Sequence, residues 1–266
     1  MSELDRDAKP LRFDANLKWL FTELPFERRF DAASSAGFAA VECPAPYSLT
    51  PSGVSRRLRD AGLELILINT PMGAPGSVGQ RGFACLPEHV REFRESFSQG
   101  LEYAAALGST FLHVVGGSVP SDLSRDQAIA QYIASVAWAV DQAEGSGVGI
   151  VIEMQNRRDS PGFVLESHAQ AAAIAAATGA GLLLDLYHVQ ISEGDVTRRF
   201  RELLPLVAHL QIADAPTRHE PGTGELNWRF VFQAIADSTY DGWIGCEYAP
   251  SLGTTPGLAW MKELTP

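Results

Sequence analysis

The feature that most constrains this chain is a repeated alternation. Eight short apolar runs recur along it: LRFDANL (11–17), AAVEC (39–43), LELILINT (63–70), TFLHVVGG (110–117), VGIVIEMQ (148–155), GLLLDLYH (181–188), VAHLQIAD (207–214) and WIGCEY (243–248). Several are continuously apolar and rich in Val, Ile and Leu, as strands covered on both faces of a parallel sheet must be. Amphipathic segments lie between them: PFERRFDAASSAG (25–37), 87–108, 124–147, LESHAQAAAIAAATG (165–179), EGDVTRRFRELLP (193–205), NWRFVFQAIADS (227–238) and a short one near PGLAWMKEL. Gly37 and Gly108 end two of them and Ser124 heads a third, which are helix stop and start signals. No Ser/Gly linker or low-complexity tract interrupts the pattern. The expectation is an α/β chain forming a single (β/α)8 TIM barrel over 11–266, behind an N-terminal extension of residues 1–10. An open doubly wound sheet would show a glycine-rich turn after its first strand, where ANLKWLF stands instead.

Composition narrows the function classes. The 266 residues carry a net charge of −11, with a pI near 5.0. A duplex nucleic-acid binder needs a basic face, so no nucleic acid is expected as a partner, and an anionic membrane surface is disfavoured for the same reason. Cys43, Cys85 and Cys246 are odd in number and lack metal-ligand spacing, so they read as buried free thiols of a reducing cytoplasm. MSELDRDAKP is charged and lacks the apolar stretch of a signal peptide, and no apolar run is long enough to span a bilayer. The expected localisation is cytoplasmic.

Barrel chemistry sits at the C-terminal ends of the strands. Those ends read Glu42, Asn69, His113, Glu153, Asp185 with His188, Gln211 with Asp214, and Glu247. Carboxylates inside IVIEMQN, LLLDLYH and WIGCEY need a metal, a partner or a reaction to account for their burial. Strands 5 to 8 offer Glu153, Asp185, Gln211 and Glu247, three carboxylates and an amide oxygen. That all-oxygen set suits Mg2+ or Mn2+ better than zinc. The alternative is a buried polar network tying the strands together. His188, just beyond Asp185, could donate to a substrate oxygen or hydrogen-bond within its own loop. A divalent ion on a carbonyl and its neighbouring hydroxyl would acidify the C–H bond between them and stabilise a cis-enediolate. One Glu would then remove a proton and another return one to the adjacent carbon.

The stretches FDANLKWLF, AGFAAVE, GFACLPEHVREFR, IEMQN, DLYHVQ, HLQIADAPTRHEPGTGE and YDGWIGCEYAP together resemble the hydroxypyruvate isomerase family of the xylose-isomerase-like barrels, over nearly the whole chain. The resemblance implies an intramolecular oxidoreductase of aldose–ketose type that interconverts hydroxypyruvate and tartronate semialdehyde. A 2-oxotetronate isomerase or a ketose 3-epimerase would use the same two glutamates. It places Glu153 and Glu247 as the acid/base pair, and Glu153, Asp185, Gln211 and Glu247 at metal-ligand positions. His188, Arg218 and Glu220 fall where related enzymes hold substrate oxygens, and Asn69 joins them as a strand-end candidate. The implied partner is a small hydroxy-keto acid or sugar, and a homo-oligomer is compatible with the family. Many relatives carry histidine at the fourth ligand position where this chain has Gln211, and His219 replaces a glycine of the usual loop wording. VVGGSVPS also departs from the commonest form, at the expected distal end of the substrate.

The loop of HLQIADAPTRHEPGTGE sets charges and paired glycines behind a strand. Arg218 has the planar fork that suits a keto-acid carboxylate, with a rim salt bridge to Glu220 as the other reading. PGTG could also cradle a phosphate near strands 7 and 8. Two further classes compete. The superfamily's metal-dependent DNA-repair endonucleases need several histidine ligands and a basic groove, and a non-catalytic sugar-acid binder gives no reason to bury two glutamates at facing strand ends.

Overall fold

The computed structural model describes residues 9–266. Eight parallel strands close into a barrel in sequence order: β1 (Arg12–Asn16), β2 (Ala40–Glu42), β3 (Glu64–Asn69), β4 (Phe111–His113), β5 (Gly149–Glu153), β6 (Gly181–Asp185), β7 (Val207–Ile212) and β8 (Trp243–Cys246). β8 returns to pair with β1, Phe13 opposite Ile244 and Ala15 opposite Cys246, so no edge is left open. Around it run α1 (Arg29–Ser35), α2 (Pro51–Ala61), α3 (Val90–Leu107), α4 (Arg125–Ala143), α5 (His168–Thr178), α6 (Leu186–Ser192), α7 (Val196–Leu203), α8 (Trp228–Ala236) and α9 (Trp260–Glu263). The expected TIM barrel is the observed fold. The expected extension over residues 1–10 lies almost wholly outside the described residues.

Two helices were not anticipated. α2 has only Val54 and Leu58 buried, a stripe of two, yet its ends are well specified. The Thr50 hydroxyl accepts from the Gly53 N–H at 3.2 Å, Pro51 opens the first turn, and Gly62 closes it at φ 66°. α6 begins inside the run GLLLDLYH, because the Asp185 side chain accepts from the Tyr187 N–H at 2.9 Å and turns the chain out of the strand.

Side chains alternate along each strand. Phe13, Ala15, Val41, Ile68, Leu112, Ile152, Leu184, Leu210 and Ile244 belong to the core packed under the helices, whereas Leu67, Val151 and Leu183 form a separate cluster with Phe111 and Ala208. The second set fills the barrel itself. Continuing that inward register to the strand ends, with a one-residue shift in β7 at the irregularity opposite Leu182 and Leu183, gives Asn16, Glu42, Asn69, His113, Glu153, Asp185, Gln211 and, one step past β8, Glu247. Every strand thus delivers one polar group to the same end of the barrel. The three cysteines are buried and unpaired. Among the described residues no helix is long and apolar enough to cross a membrane.

Candidate active site

Over this ring lies a cavity of about 540 Å³, lined by Trp19, Arg81, Gln155, Arg158, Asp159, Ser160, Tyr187, His188, Pro216, Thr217, Arg218, Glu247 and Ala249. That volume falls within the range of small-molecule sites. An arc of charge crosses its floor. His188 Nε2 stands 3.4 Å from Glu153 Oε1 and 3.5 Å from Asp185 Oδ2. Arg218 Nη2 then donates to Asp185 Oδ2 at 3.1 Å and to Glu247 Oε2 at 2.7 Å. The guanidinium is held between the Trp19 and Tyr187 rings, its carbon 4.8 Å from each centroid. Asn16 and Trp19, on the segment from the end of β1, reach the remaining oxygen of Glu247 at 3.3 Å each.

The electrostatics follow from burial. Glu153 is pushed well above the usual carboxylate range by burial, then by Glu247 and Asp185, against the hydrogen bond from Gln155. Asp185 is raised by burial to about 7, with Arg218 pulling the other way and Glu247 adding to the rise. Burial also raises Glu247, opposed by Arg218 and reinforced by Glu42. Arg218 is disfavoured as a cation by burial, but Glu247 and Asp185 outweigh that and hold it above its ordinary value. His188 is lowered well below its ordinary value by burial and by Arg218, so it is neutral at physiological pH. Its Nδ1 accepts the Asn156 backbone N–H at 3.1 Å, which leaves the proton on Nε2, facing Glu153 and Asp185. His188 is therefore a neutral hydrogen-bond donor at the mouth.

Glu153, Asp185, His188, Arg218 and Glu247 meet here. Glu153, Asp185 and His188 also bring ligand atoms within 4.8 Å of one another, close enough to hold a metal ion. Gln211 is buried beside them, with its Oε1 unpartnered, as is Glu153 Oε1. Two orphaned oxygens within an oxygen-rich set fit a hard divalent cation.

Two expected residues lie elsewhere. Glu220 points away from the cavity: its two oxygens accept from the Ser251 N–H at 2.9 Å and the Ser251 hydroxyl at 2.6 Å, tying this loop to the segment after β8. It makes no rim pair with Arg218, whose backbone at φ 58° turns the chain between them. Asn69 does not line the cavity either. Its Oδ1 lies 3.2 Å from His113 Nδ1, and His113 Nε2 lies 3.9 Å from Glu153, so it stands one residue removed.

PGTG is not a phosphate cradle. The N–H groups of Gly222 and Gly224 both donate to Asp214 Oδ2 at 2.9 Å, so they are already satisfied. Gly224 has no room for a side chain, since a Cβ would stand 1.9 Å from the Ala215 carbonyl oxygen. The glycines fold the loop onto Asp214, and the fold puts Arg218 over the mouth. Trp19, Tyr187, Arg81 and Arg158 escaped the sequence reading. The WLF after β1 and the basic pair in QNRRD were the available signals.

A closed parallel barrel with an acidic, histidine-bearing mouth defines a class, and the comparisons agree. The family model described as xylose isomerase-like TIM barrel matches residues 30–264, and the chain belongs to that family. Among individual relatives, it is 41% identical over 256 residues to the 2-oxo-tetronate isomerase of Cupriavidus necator, covering 94% of this chain and 97% of that one. It is 38% identical over 254 residues to the hydroxypyruvate isomerase of Escherichia coli K12, covering 94% and 98%. A crystal structure titled AP endonuclease, family 2, from Brucella melitensis superposes with a TM-score of 0.90 at 35% identity, covering 96% of this chain and 100% of that one.

Proposed function

We propose that the chain is an aldose–ketose isomerase interconverting hydroxypyruvate and tartronate semialdehyde by proton transfer between adjacent carbons. The observation that carries this is the pair of glutamates Glu153, ending β5 and buried beside His188 beneath the cavity, and Glu247, following β8 and half-buried in the cavity lining. Each is raised toward neutrality, where a carboxyl group can both take and give a proton. In this reading one of them takes the proton from the hydroxyl-bearing carbon, the hydroxyl proton passes to the former carbonyl oxygen, and the enediolate is reprotonated on the neighbouring carbon, leaving an aldehyde beside a new hydroxyl. His188 Nε2–H donates to a substrate oxygen. Arg218 keeps Asp185 and Glu247 charged enough to work, and Trp19 and Tyr187 wall the cavity against water.

Glu153, Asp185, Gln211 and Glu247 would hold the divalent cation, Mg2+ or Mn2+, with His188 beside it. When bound, such an ion supplies electrophilic stabilisation of the charge developing on the substrate oxygens. The buried thiols of Cys43, Cys85 and Cys246 suit a reducing cytoplasm.

The cavity volume favours a second reading within the same chemistry. About 540 Å³ exceeds what a three-carbon acid fills, so a four-carbon 2-oxo acid also fits, in keeping with the name of the Cupriavidus relative. The net charge of −11 speaks against a DNA substrate. The test is a panel of hydroxypyruvate, 2-oxotetronates and free ketoses, with and without Mn2+, in deuterated water. The reading requires isomerised product for a 2-oxo acid, with exchange of the transferred hydrogen. Turnover of ketoses alone would replace it with an epimerase.

A further inference from the structure

Glu42 ends β2 on the far side of the barrel from Glu153, fully buried, and the proposed chemistry gives it no role. It is nevertheless the acceptor on which the mouth converges. Oε2 receives Asn16 Nδ2 at 2.6 Å and Gln211 Nε2 at 2.8 Å, while Oε1 faces His209 Nε2 at 2.5 Å. The barrel also makes room for it. A Cβ at Gly245 would lie 2.0 Å from Glu42 Oε1 and 3.0 Å from Gln211 Cγ, so β8 carries no side chain where this carboxylate crosses.

An amide is two-ended, with donors on nitrogen and an acceptor oxygen. A carboxylate oxygen shared with Asn16 can be met only by the nitrogen end of Gln211. With that end committed, Oε1 is left as the one polar atom of Gln211 without a partner, buried at the mouth. Asn16 passes the same restraint on, because its Nδ2 also reaches Glu247 Oε1 at 3.3 Å.

We propose that Glu42 is a positioning residue of the active site: by accepting from Gln211 Nε2 it fixes the amide so that Oε1 is presented as an oxygen ligand to a divalent cation. Glutamine is a neutral ligand whose two ends differ by a half-turn, so a site that uses it needs a partner to choose the end. Outer partners that orient a ligand change metal affinity by roughly 10–100-fold. The inference rests on the reading of Gln211 as a ligand, and it does not require that the substrate be hydroxypyruvate.

The experiment is Mn2+ titration of the substrate-free protein, followed by electron paramagnetic resonance, for wild type, Glu42→Gln, Gln211→Leu and the double variant. Circular dichroism and thermal melting show that each is folded. Glu42→Gln keeps the shape but lets the amide at 211 turn either way, so we expect Mn2+ affinity to fall about 10-fold or more. In the Gln211→Leu background the same change should cost clearly less than in wild type, because the ligand amide is gone and only the weaker route through Asn16 to Glu247 remains. An equal loss in both backgrounds would make Glu42 a distant charge and overturn the proposal. So would unchanged affinity in Glu42→Gln, or a wild type that binds no Mn2+. Should Glu42→Gln fail to fold, Glu42→Asp keeps the charge and withdraws the acceptor, and must also weaken binding. Loss of hydrogen exchange in Glu153→Gln and Glu247→Gln reports on the proton-transfer reading separately, so failure of one leaves the other standing.

Discussion

Removing the Arg218 guanidinium separates two roles that the sequence could not tell apart. Seen as sequence, Arg218 is the carboxylate anchor of a keto acid, and Arg218→Ala should then penalise charged substrates alone. In the structure its Nη2 already bridges Asp185 and Glu247 at 3.1 and 2.7 Å, between two aromatic rings. Breaking a buried ion pair from one side costs roughly 3–5 kcal/mol. Here the arginine side chain keeps 15% of its surface exposed, and the stranded carboxyls can take up protons, so a stability loss of about 2 kcal/mol is the better figure. For a chain of this size that is a melting shift of roughly 4–8 °C.

The kinetic cost comes from the same bonds. A charge-assisted hydrogen bond contributes roughly 1.5–3 kcal/mol, so kcat/KM should fall about 10- to 100-fold, at about 1.4 kcal/mol per decade. Because Arg218 opposes the burial that raises Asp185 and Glu247, its removal lets both rise further. The acid limb of the kcat/KM profile should then move to higher pH. Arg218→Lys should recover part of the loss, since an ammonium can neutralise charge but cannot stack and fork together. The assay is the pH–rate profile of wild type and both variants on hydroxypyruvate and on a neutral ketose, if one is turned over. A loss confined to the keto acid, with the acid limb unmoved, would refute the argument and return Arg218 to substrate anchoring.

Glu153→Gln and Glu247→Gln should each lower kcat by roughly 10²–10⁴-fold with an unchanged circular dichroism spectrum; near-normal turnover in either would remove it from proton transfer. Mn2+ affinity, measured calorimetrically, should weaken as pH is lowered from about 7.5 to 5.5. Asp185, raised to about 7, holds a proton below neutrality that a cation must displace, and Glu153 is raised in the same direction by burial, so a flat profile would contradict those shifts. Glu220→Gln should keep kcat/KM within about 3-fold and cost about 1 kcal/mol of stability, because Ser251 is the partner it loses. A 100-fold kinetic loss would put Glu220 back in substrate binding.

The barrel was legible because its strands are buried on both faces and its longer helices carry wide apolar stripes, such as Phe93, Phe97, Gly100 and Ala104 on α3. α2 was missed for the converse reason: two buried residues in eleven make a weak period, and its signal lay in Thr50, Pro51 and Gly62 instead. α6 was hidden because GLLLDLYH stays buried across Asp185, and burial alone does not distinguish the last turn of a strand run from the first of a helix. The expected eight-residue run TFLHVVGG contracts to Phe111–His113, since the Val114 N–H still donates to the Val151 carbonyl on the adjacent β5 but the chain then leaves the sheet.

At the site, position was legible and partnership was not. Carboxylates in apolar runs mark strand ends: Glu42, Asn69, His113, Glu153, Asp185, Gln211 and Glu247 all lie at the same end of the barrel, whereas Asp214 is taken up by the N–H groups of its own loop. Which of them touch depends on reach across a closed barrel, and that has no trace in local spacing. Gln211 sits beside Asp185 in the β6–β7 register, yet its amide nitrogen goes to Glu42 on β2. Arg218 and Glu220 are two residues apart and look like a pair, yet the left-handed backbone at Arg218 sends one over the cavity and the other to Ser251. A residue other than glycine held at φ 58° costs of order 1–3 kcal/mol, and here that conformation aims the guanidinium between Trp19 and Tyr187 onto two carboxylates. The strain falls on the one residue whose direction decides whether Asp185 and Glu247 can carry charge side by side. The left-handed turn at Arg218 is thus what sets the guanidinium against both carboxylates, and the Gly222 and Gly224 N–H groups that follow tie the loop back onto Asp214.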